Sequence, residues 1–462
     1  MRKYTLKRSL AAALICTALM PRAALAEELR LSPQEARQVA QHALQSGNPQ
    51  LAASLAQGLL QRDGADGTAH FMLARAFQQM GQPAKGRRAA RLAYRHAVTE
   101  VDHFHAAQLA ARLAVENQRP MSAKLWLRRS LQYLPDPKLR AAVARDYQIL
   151  RNISPWQFGL NVSVAPSDNL NNGADSRYSL IDGVPVAGIL SGSAQALSGV
   201  AGVADLTLGY RLMGSKTSQT RIGLRYYGRR VHLSDEARDL APTVSNSDLA
   251  FDYGEVSLAQ LRQTATAQWR YGFALGQSWS GGERFQRSTR LNVSRSATLG
   301  ALGRLRLGSQ LERLSYSDNR PDVNGITLSS HLSRHSEDWG NWQFGLTLKR
   351  ERSDNINADR KQVIAQIAWA PDVSALPVMS DLTPVVTLGG SKQRYDAYSA
   401  GFIVPGGRRD ETVFGQLEAT FTQFDYAGFA PTVTLRSRRT TSNVSRFETR
   451  ETTLSLGVRS SF

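Results

Sequence analysis

Cysteine is all but missing: the chain of 462 residues has one, Cys16. It sits in an apolar run near the amino end, and Ile15 before it is bulky where a lipoprotein cleavage site needs a small residue. A disulfide framework is therefore excluded, and lipidation at Cys16 is not expected. Long apolar runs are missing too. After Ala26 no stretch of about 18 apolar residues occurs, so no transmembrane helix follows. Any membrane passage must then be made by a β-barrel. A clustered basic patch is also absent. The formal charge is +19, but the cations are mostly arginine and are scattered along the chain. A nucleic-acid binder concentrates them, so no nucleic-acid partner is expected.

What remains looks soluble at first sight, with 42% hydrophobic residues and a mean hydropathy of −0.33. Membrane barrels share that profile, because only alternate residues face lipid. The first residues point to export. Arg2, Lys3, Lys7 and Arg8 precede an apolar run from Leu10 to Met20, and Ala24 and Ala26 frame an A-x-A cleavage site. Residues 1–26 read as a secretory signal peptide.

From 27 to 153 the pattern is helical. Ser32-Pro33-Gln34-Glu35 is a capping box with proline at the first helical position. The turn Gly47-Asn48-Pro49 returns as Gly81-Gln82-Pro83, and Asn117-Gln118-Arg119-Pro120 is a looser copy. A repeat of helix pairs at about 34 residues is the tetratricopeptide signature, and about three repeats are expected, stacked as an α-solenoid with a concave groove. Small residues (Ala74, Ala90, Ala93) fall where helices must approach, with Phe71, Phe77 and Tyr94 as fill. Gly86 and Val98 depart from the repeat's usual alanine and proline. His103 and His105 are two apart and so lie on different helix faces, which argues against a metal site. No cofactor is expected.

At Ser154-Pro155 the period changes to two. Trp156, Phe158, Leu160, Val162 and Val164 alternate with Gln157, Gly159, Asn161 and Ser163. Runs of this kind recur at 199–212, 219–231, 246–261, 264–279, 283–296 and 300–316, then at 322–335, 340–352, 360–371, 380–397, 409–424, 430–445 and 449–462. With 156–164 that makes fourteen, which predicts an up-and-down transmembrane β-barrel over 154–462 with both ends on the periplasmic side. Aromatics near run ends, such as Trp156, Trp269, Trp342 and Trp369, suit the interface girdles of such a barrel.

The final run is the clearest. Leu454, Leu456, Val458 and Phe462 share one face, and Gly457 and Arg459 share the other. An exposed apolar edge strand invites aggregation in a soluble sheet. In a barrel it closes on the first strand and faces lipid. The alternation also turns Arg211, Arg225, Arg229, Arg270, Arg304, Arg306, Arg436, Arg438 and Arg459 inward. A basic lumen can attract acidic segments or anions. The same arginines can instead pair with carboxylates such as Asp205, Glu312 and Glu418 for stability.

The segment Trp156-Gln157-Phe158 through Ala165-Pro166-Ser167-Asp168-Asn169-Leu170-Asn171-Asn172-Gly173, with the helical array before it and the terminal strand, resembles the surface lipoprotein assembly modulators. That resemblance implies a short periplasmic tetratricopeptide domain on a fourteen-stranded outer-membrane barrel. It also implies a translocon that delivers surface lipoproteins, or related soluble haem-scavenging proteins, to the cell surface. The helical domain would receive the client and the barrel would pass or insert it. The ending resembles terminal strands that signal to the barrel assembly machinery. The implied partners are therefore a client protein, outer-membrane lipid and that machinery.

Other classes fit less well. An exopolysaccharide exporter also joins such repeats to a barrel, but usually with a much longer array. A passive porin has no need of the helical domain. His331, Ser333 and His335 share an inward strand face near Glu337 and Asp338, which invites a hydrolase reading. Residues two apart on a strand lie about 7 Å apart, too far for a direct nucleophile–base bond, so no enzyme is expected.

Overall fold

A computed structural model describes residues 31–134, 136, 138–373, 382–424 and 429–460. The expected signal peptide, with Ala24 and Ala26, and the terminal Phe462 lie outside the described residues.

Seven helices come first: α1 (Pro33–Gln45), α2 (Pro49–Arg62), α3 (Gly67–Gln79), α4 (Pro83–Arg95), α5 (Glu100–Glu116), α6 (Pro120–Ser130) and α7 (Leu139–Ile153). The Ser32 N–H donates to Glu35 Oε2 at 2.8 Å and the Glu35 N–H returns to Ser32 Oγ at 3.3 Å, which completes the capping box. The three turns within helix pairs share one hydrogen bond. The N–H groups of Asn48, Gln82 and Arg119 donate to the carbonyls of Ala43, Phe77 and Ala114, each at 2.8 Å. This reversal needs a left-handed residue just before. Gly47 and Gly81 supply it at φ 75° and 67°, and Gln118 takes it at φ 54° in the looser copy. The core between helices is mostly alanine, with Ala52, Ala56, Ala74, Ala90 and Ala107 fully buried. Gly86 has its own reason: a Cβ there would sit 2.9 Å from Leu113 Cδ2.

The barrel follows. Its first strand is β1 (Trp156–Ser167), and a loop hairpin, β2 (Tyr178–Ile181) with β3 (Val184–Ile189), stands outside the wall. Then come β4 (Gly199–Gly214), β5 (Ser218–Leu233), β6 (Phe251–Gln263), β7 (Ala267–Ser280), β8 (Glu283–Thr298) and β9 (Arg304–Tyr316). The wall ends with β10 (Val323–Ser336), β11 (Gly340–Arg352), β12 (Arg360–Ala370), β13 (Leu382–Tyr395), β14 (Arg408–Phe421), β15 (Phe429–Ser442) and β16 (Thr449–Ser460). β1 and β4–β16 pair antiparallel in chain order and close, β16 on β1. The fourteen runs read from alternation are these fourteen strands.

Some details differ from the sequence reading, and the run 300–316 starts only at Arg304, after a turn over Gly300–Leu302. The run 246–261 starts only at Phe251, because Ser245 and Asp248 fold a local turn through Ser245 N–H to Asp248 Oδ2 at 2.8 Å. The β2–β3 hairpin was not anticipated. It turns on Asp182-Gly183, both at positive φ (48° and 80°), the geometry that favours Asp-Gly in tight hairpins.

Apolar side chains cover the outer face from strand to strand: Phe158 opposes Leu208, Leu208 opposes Leu224, and Leu224 opposes Val256. On that face, at the end nearest the helices, aromatic rings gather. Trp156 lies 4.6 Å from Tyr210 and Trp342 5.4 Å from Trp369, centre to centre. This is the girdle an interface requires. Connections at this end include tight turns such as 215–217, whereas the opposite end carries the long connections 168–198 and 234–250.

Candidate functional site

The first and last strands meet along a short ladder. β1 pairs with β4 from Trp156↔Tyr210 to Ser167↔Gly199, its full length. β15 pairs with β16 from Phe429↔Ser460 to Thr440↔Thr449. Across the closing seam, the described residues of β1 and β16 pair from Asn161↔Arg459 to Val164↔Leu456. Pro166 has no N–H to carry the ladder onward. Beyond it, side chains replace backbone bonds: Ser167 Oγ donates to Glu451 Oε1 at 3.1 Å, and the Thr452 N–H donates to Asp168 Oδ1 at 3.3 Å. Within the ladder Gly457 is required, because a Cβ there would lie 2.8 Å from the Val162 carbonyl oxygen. Leu454, Leu456 and Val458 face outward and are exposed, as a lipid-facing strand must be.

The outer end of the seam is strapped by the segment 165–173. Asn169, 5% exposed, donates to the Gly173 carbonyl at 2.9 Å and accepts the Gly173 N–H at 2.7 Å. Asn171 donates to the Gln195 carbonyl at 2.7 Å and accepts from the Leu197 N–H at 3.0 Å. These bonds fold the loop so that the β2–β3 hairpin reaches the connection between β15 and β16. There Leu180 N–H donates to Ser445 Oγ at 2.7 Å, Asp182 N–H donates to the Asn443 carbonyl at 2.8 Å, and Ile181 packs in a buried cluster with Val444, Tyr395 and Tyr398. The loop that leaves β1 is thus fastened on the β16 side.

The inner end is clamped by α6. Lys124 Nζ donates to the Trp156 carbonyl of β1 at 3.2 Å. One turn on, Arg128 donates to Ser460 Oγ of β16 at 3.2 Å and to the Tyr147 hydroxyl of α7 at 2.6 Å, with its guanidinium over the Phe429 ring. Both cations are about 5–6% exposed. Burial pushes the Lys124 ammonium below the usual lysine pKa, and Arg128 and Arg151 add to the shift. A second fastening is Arg211, whose guanidinium donates to the Asn152 and Ile153 carbonyls at 2.9 and 2.6 Å. A cation at the last carbonyls of a helix is favoured by capping and by the helix dipole.

Strand register places all nine candidate arginines on the inward face. Arg211 is committed to the α7 end as described. Arg225 forks onto Asp205 at 2.7 and 2.9 Å, and Arg459 pairs with Glu418. Arg436 donates to Gln416 at 2.9 Å, Arg306 to Ser296 Oγ at 3.1 Å, and Arg229 to the Leu170 carbonyl. Arg270, Arg304 and Arg438 have no hydrogen bond or ion pair among the described residues, and neither does Glu312. His335 Nδ1 sits 3.0 Å from Asn341 Oδ1, and Ser333 makes no hydrogen bond to His331 or His335 among the described residues. His103 stacks on Tyr133 at 4.5 Å in the helical core's margin.

Lys124 and Arg128 escaped the sequence reading. A signal was present: both share a helix side with the buried Ala123 and Leu127, so two cations interrupt an apolar stripe.

A helical-repeat domain clamped beneath a closed, lipid-facing fourteen-stranded barrel defines a protein of the outer membrane with a helical extension. Residues 262–459 match the model of a family described as surface lipoprotein assembly modifier. No sequence among curated proteins matches the chain. Among solved structures, the type III secretion translocator chaperone SycD of Yersinia enterocolitica is 18% identical, covering 27% of this chain and 86% of its own, at a TM-score of 0.24. OmpTdeltaL8, a loop L8 deletion mutant of the outer membrane protein OmpT of Vibrio cholerae, is 10% identical over 66% of this chain and 99% of its own, at 0.34. OccAB3 of Acinetobacter baumannii is 8% identical over 66% and 99%, at 0.36.

Proposed function

We propose that this protein is a translocon in which the helical domain, on the periplasmic side, receives a secreted client and the barrel releases it to the surface by parting β1 from β16. The client is a surface lipoprotein or a related soluble haem-scavenging protein. One observation carries this reading: among the described residues the barrel's shortest ladder is its seam, and α6 of the helical domain holds both of its edges. A ladder of few bonds costs little to open, since each backbone bond contributes about 1 kcal/mol net. A parted seam also offers what a lipidated client needs, a path from lumen to bilayer. In this reading the barrel performs no hydrolysis, and β16 with its terminal residues serves assembly by the barrel assembly machinery.

The test is a disulfide across the seam. Val162 and Val458 oppose each other on the outward face, and the chain beyond Cys16 has no other cysteine. A Val162→Cys/Val458→Cys protein should display its client only when reduced. Equal display by the oxidised form would overturn the seam route.

A further inference from the structure

The inner mouth of the lumen is not electrically balanced. Arg221 and Arg270 face inward within three residues of the inner ends of β5 and β7, and Arg304 and Arg306 open β9. None of the four has a carboxylate partner among the described residues. Arg221 is held by Gln157 and Gln219 at 2.6 and 2.8 Å and stands directly opposite Arg211, with its Nε buried and unbonded. Opposed like charges destabilise a sheet, and a buried donor without an acceptor costs more. The inward carboxylates of β5–β9, Glu255 on β6 and Glu312 on β9, lie nearer the outer ends, and Glu255 is taken by Arg290.

The inward cross-strand neighbours are Ala259 beside Arg221, Leu261 and Ser294 beside Arg270, and Thr298 and Ser333 beside Arg304, all uncharged. Arg270, Arg304 and Arg306 are exposed on the lumen side. The opposite wall differs, because there Arg459 is neutralised by Glu418. The result is a one-sided cationic arc at the mouth, on the rim to which Arg211 fastens the end of α7. Charge of one sign on a low-dielectric wall focuses the field into the opening.

We infer that this arc is a docking surface for an acidic, extended segment of the client polypeptide. The segment's carboxylates supply the partners that the barrel wall withholds. The inference rests on the translocon reading and adds the chemistry by which the client is drawn into the mouth. Lipid phosphate is the competing occupant.

The experiment uses the full chain in phosphatidylcholine nanodiscs with a fluorescent deca-glutamate peptide, read by anisotropy. The wild type should bind deca-glutamate and not deca-lysine. An Arg270→Gln/Arg304→Gln protein should bind about tenfold more weakly. These two arginines make no contact that folding needs, and the unchanged heat-modifiable gel shift of the barrel checks this. Equal affinity of wild type and variant, or indifference to peptide charge, would overturn the inference. So would displacement of the peptide by phosphatidylglycerol vesicles at equal charge. The seam disulfide reports separately: if it blocks display while the peptide fails to bind, the translocon reading stands and the arc does not.

Discussion

Lys124 and Arg128 lie one turn apart on α6 yet fasten two different strands, Lys124 the first residue of β1 and Arg128 the last described residue of β16. A single rigid helix therefore bridges the two edges of the seam. Both cations are buried, and a buried cation is tolerated only while its bonds are kept.

Removing the Arg128 side chain breaks its bond to Ser460 and strips the Tyr147 hydroxyl of a donor. The loss should be about 1–3 kcal/mol of local stability. Arg128→Ala should raise hydrogen exchange in 454–460 well above that in 430–442, on the intact side of β16. If exchange at the seam does not rise selectively, α6 is not a clamp.

At Gly457 the two strands approach too closely for any side chain. A Cβ would meet the Val162 carbonyl at 2.8 Å and Thr432 Oγ1 at 3.0 Å. Gly457→Val should cost about 1–3 kcal/mol by overpacking, with Gly457→Ala milder. The readout is the temperature at which the barrel loses its heat-modifiable gel shift. A valine variant as heat-resistant as the wild type would mean that the seam adjusts freely.

In the helical stack, Asp66 caps α3 through the Ala69 N–H at 2.9 Å and pairs with Arg37 at 2.7 Å. Burial alone would raise its pKa, but the bonds from Arg37 and Ala69 outweigh it and hold the carboxyl below the usual value of 3.8. A depressed folded pKa gives stability that is present above the unfolded value and lost as pH falls through the folded one. Helical ellipticity in the wild type should therefore melt earlier as pH drops below about 4. Asp66→Asn keeps an acceptor for the cap and should lose about 1 kcal/mol at pH 7, with a flatter acid response. An identical acid response in both proteins would remove Asp66 from the account.

The period-two pattern made the barrel legible, because register and lipid burial both act on alternate residues. The inward direction of Arg270 and Arg304 followed from it as well. Which arginines are neutralised did not follow, since Asp205 and Glu418 are strand neighbours only in three dimensions. The Asp182-Gly183 pair is a hairpin signal on its own, but the short runs beside it, β2 and β3, show too little alternation to mark strands. The clamp is the hardest case. Arg128 and Ser460 are 332 residues apart, and nothing local in either segment names the other.

Deleting 31–150 removes α6 and most of α7 but leaves every strand of the barrel. The barrel should still assemble, since its wall is closed by its own ladders and its outer strap 165–173 is untouched. Client display should be abolished, because the receiving surface is gone. Two causes would be mixed in that result, however: loss of reception and loss of the clamp. They separate if Lys124→Ala/Arg128→Ala is compared in the full chain. Reception alone predicts that the double variant displays its client normally. A clamp that times opening predicts display without retention, seen as a barrel that leaks small solutes when no client is expressed. Normal display with no leak would confine α6 to a structural role and leave the groove of α1–α5 as the domain's working part.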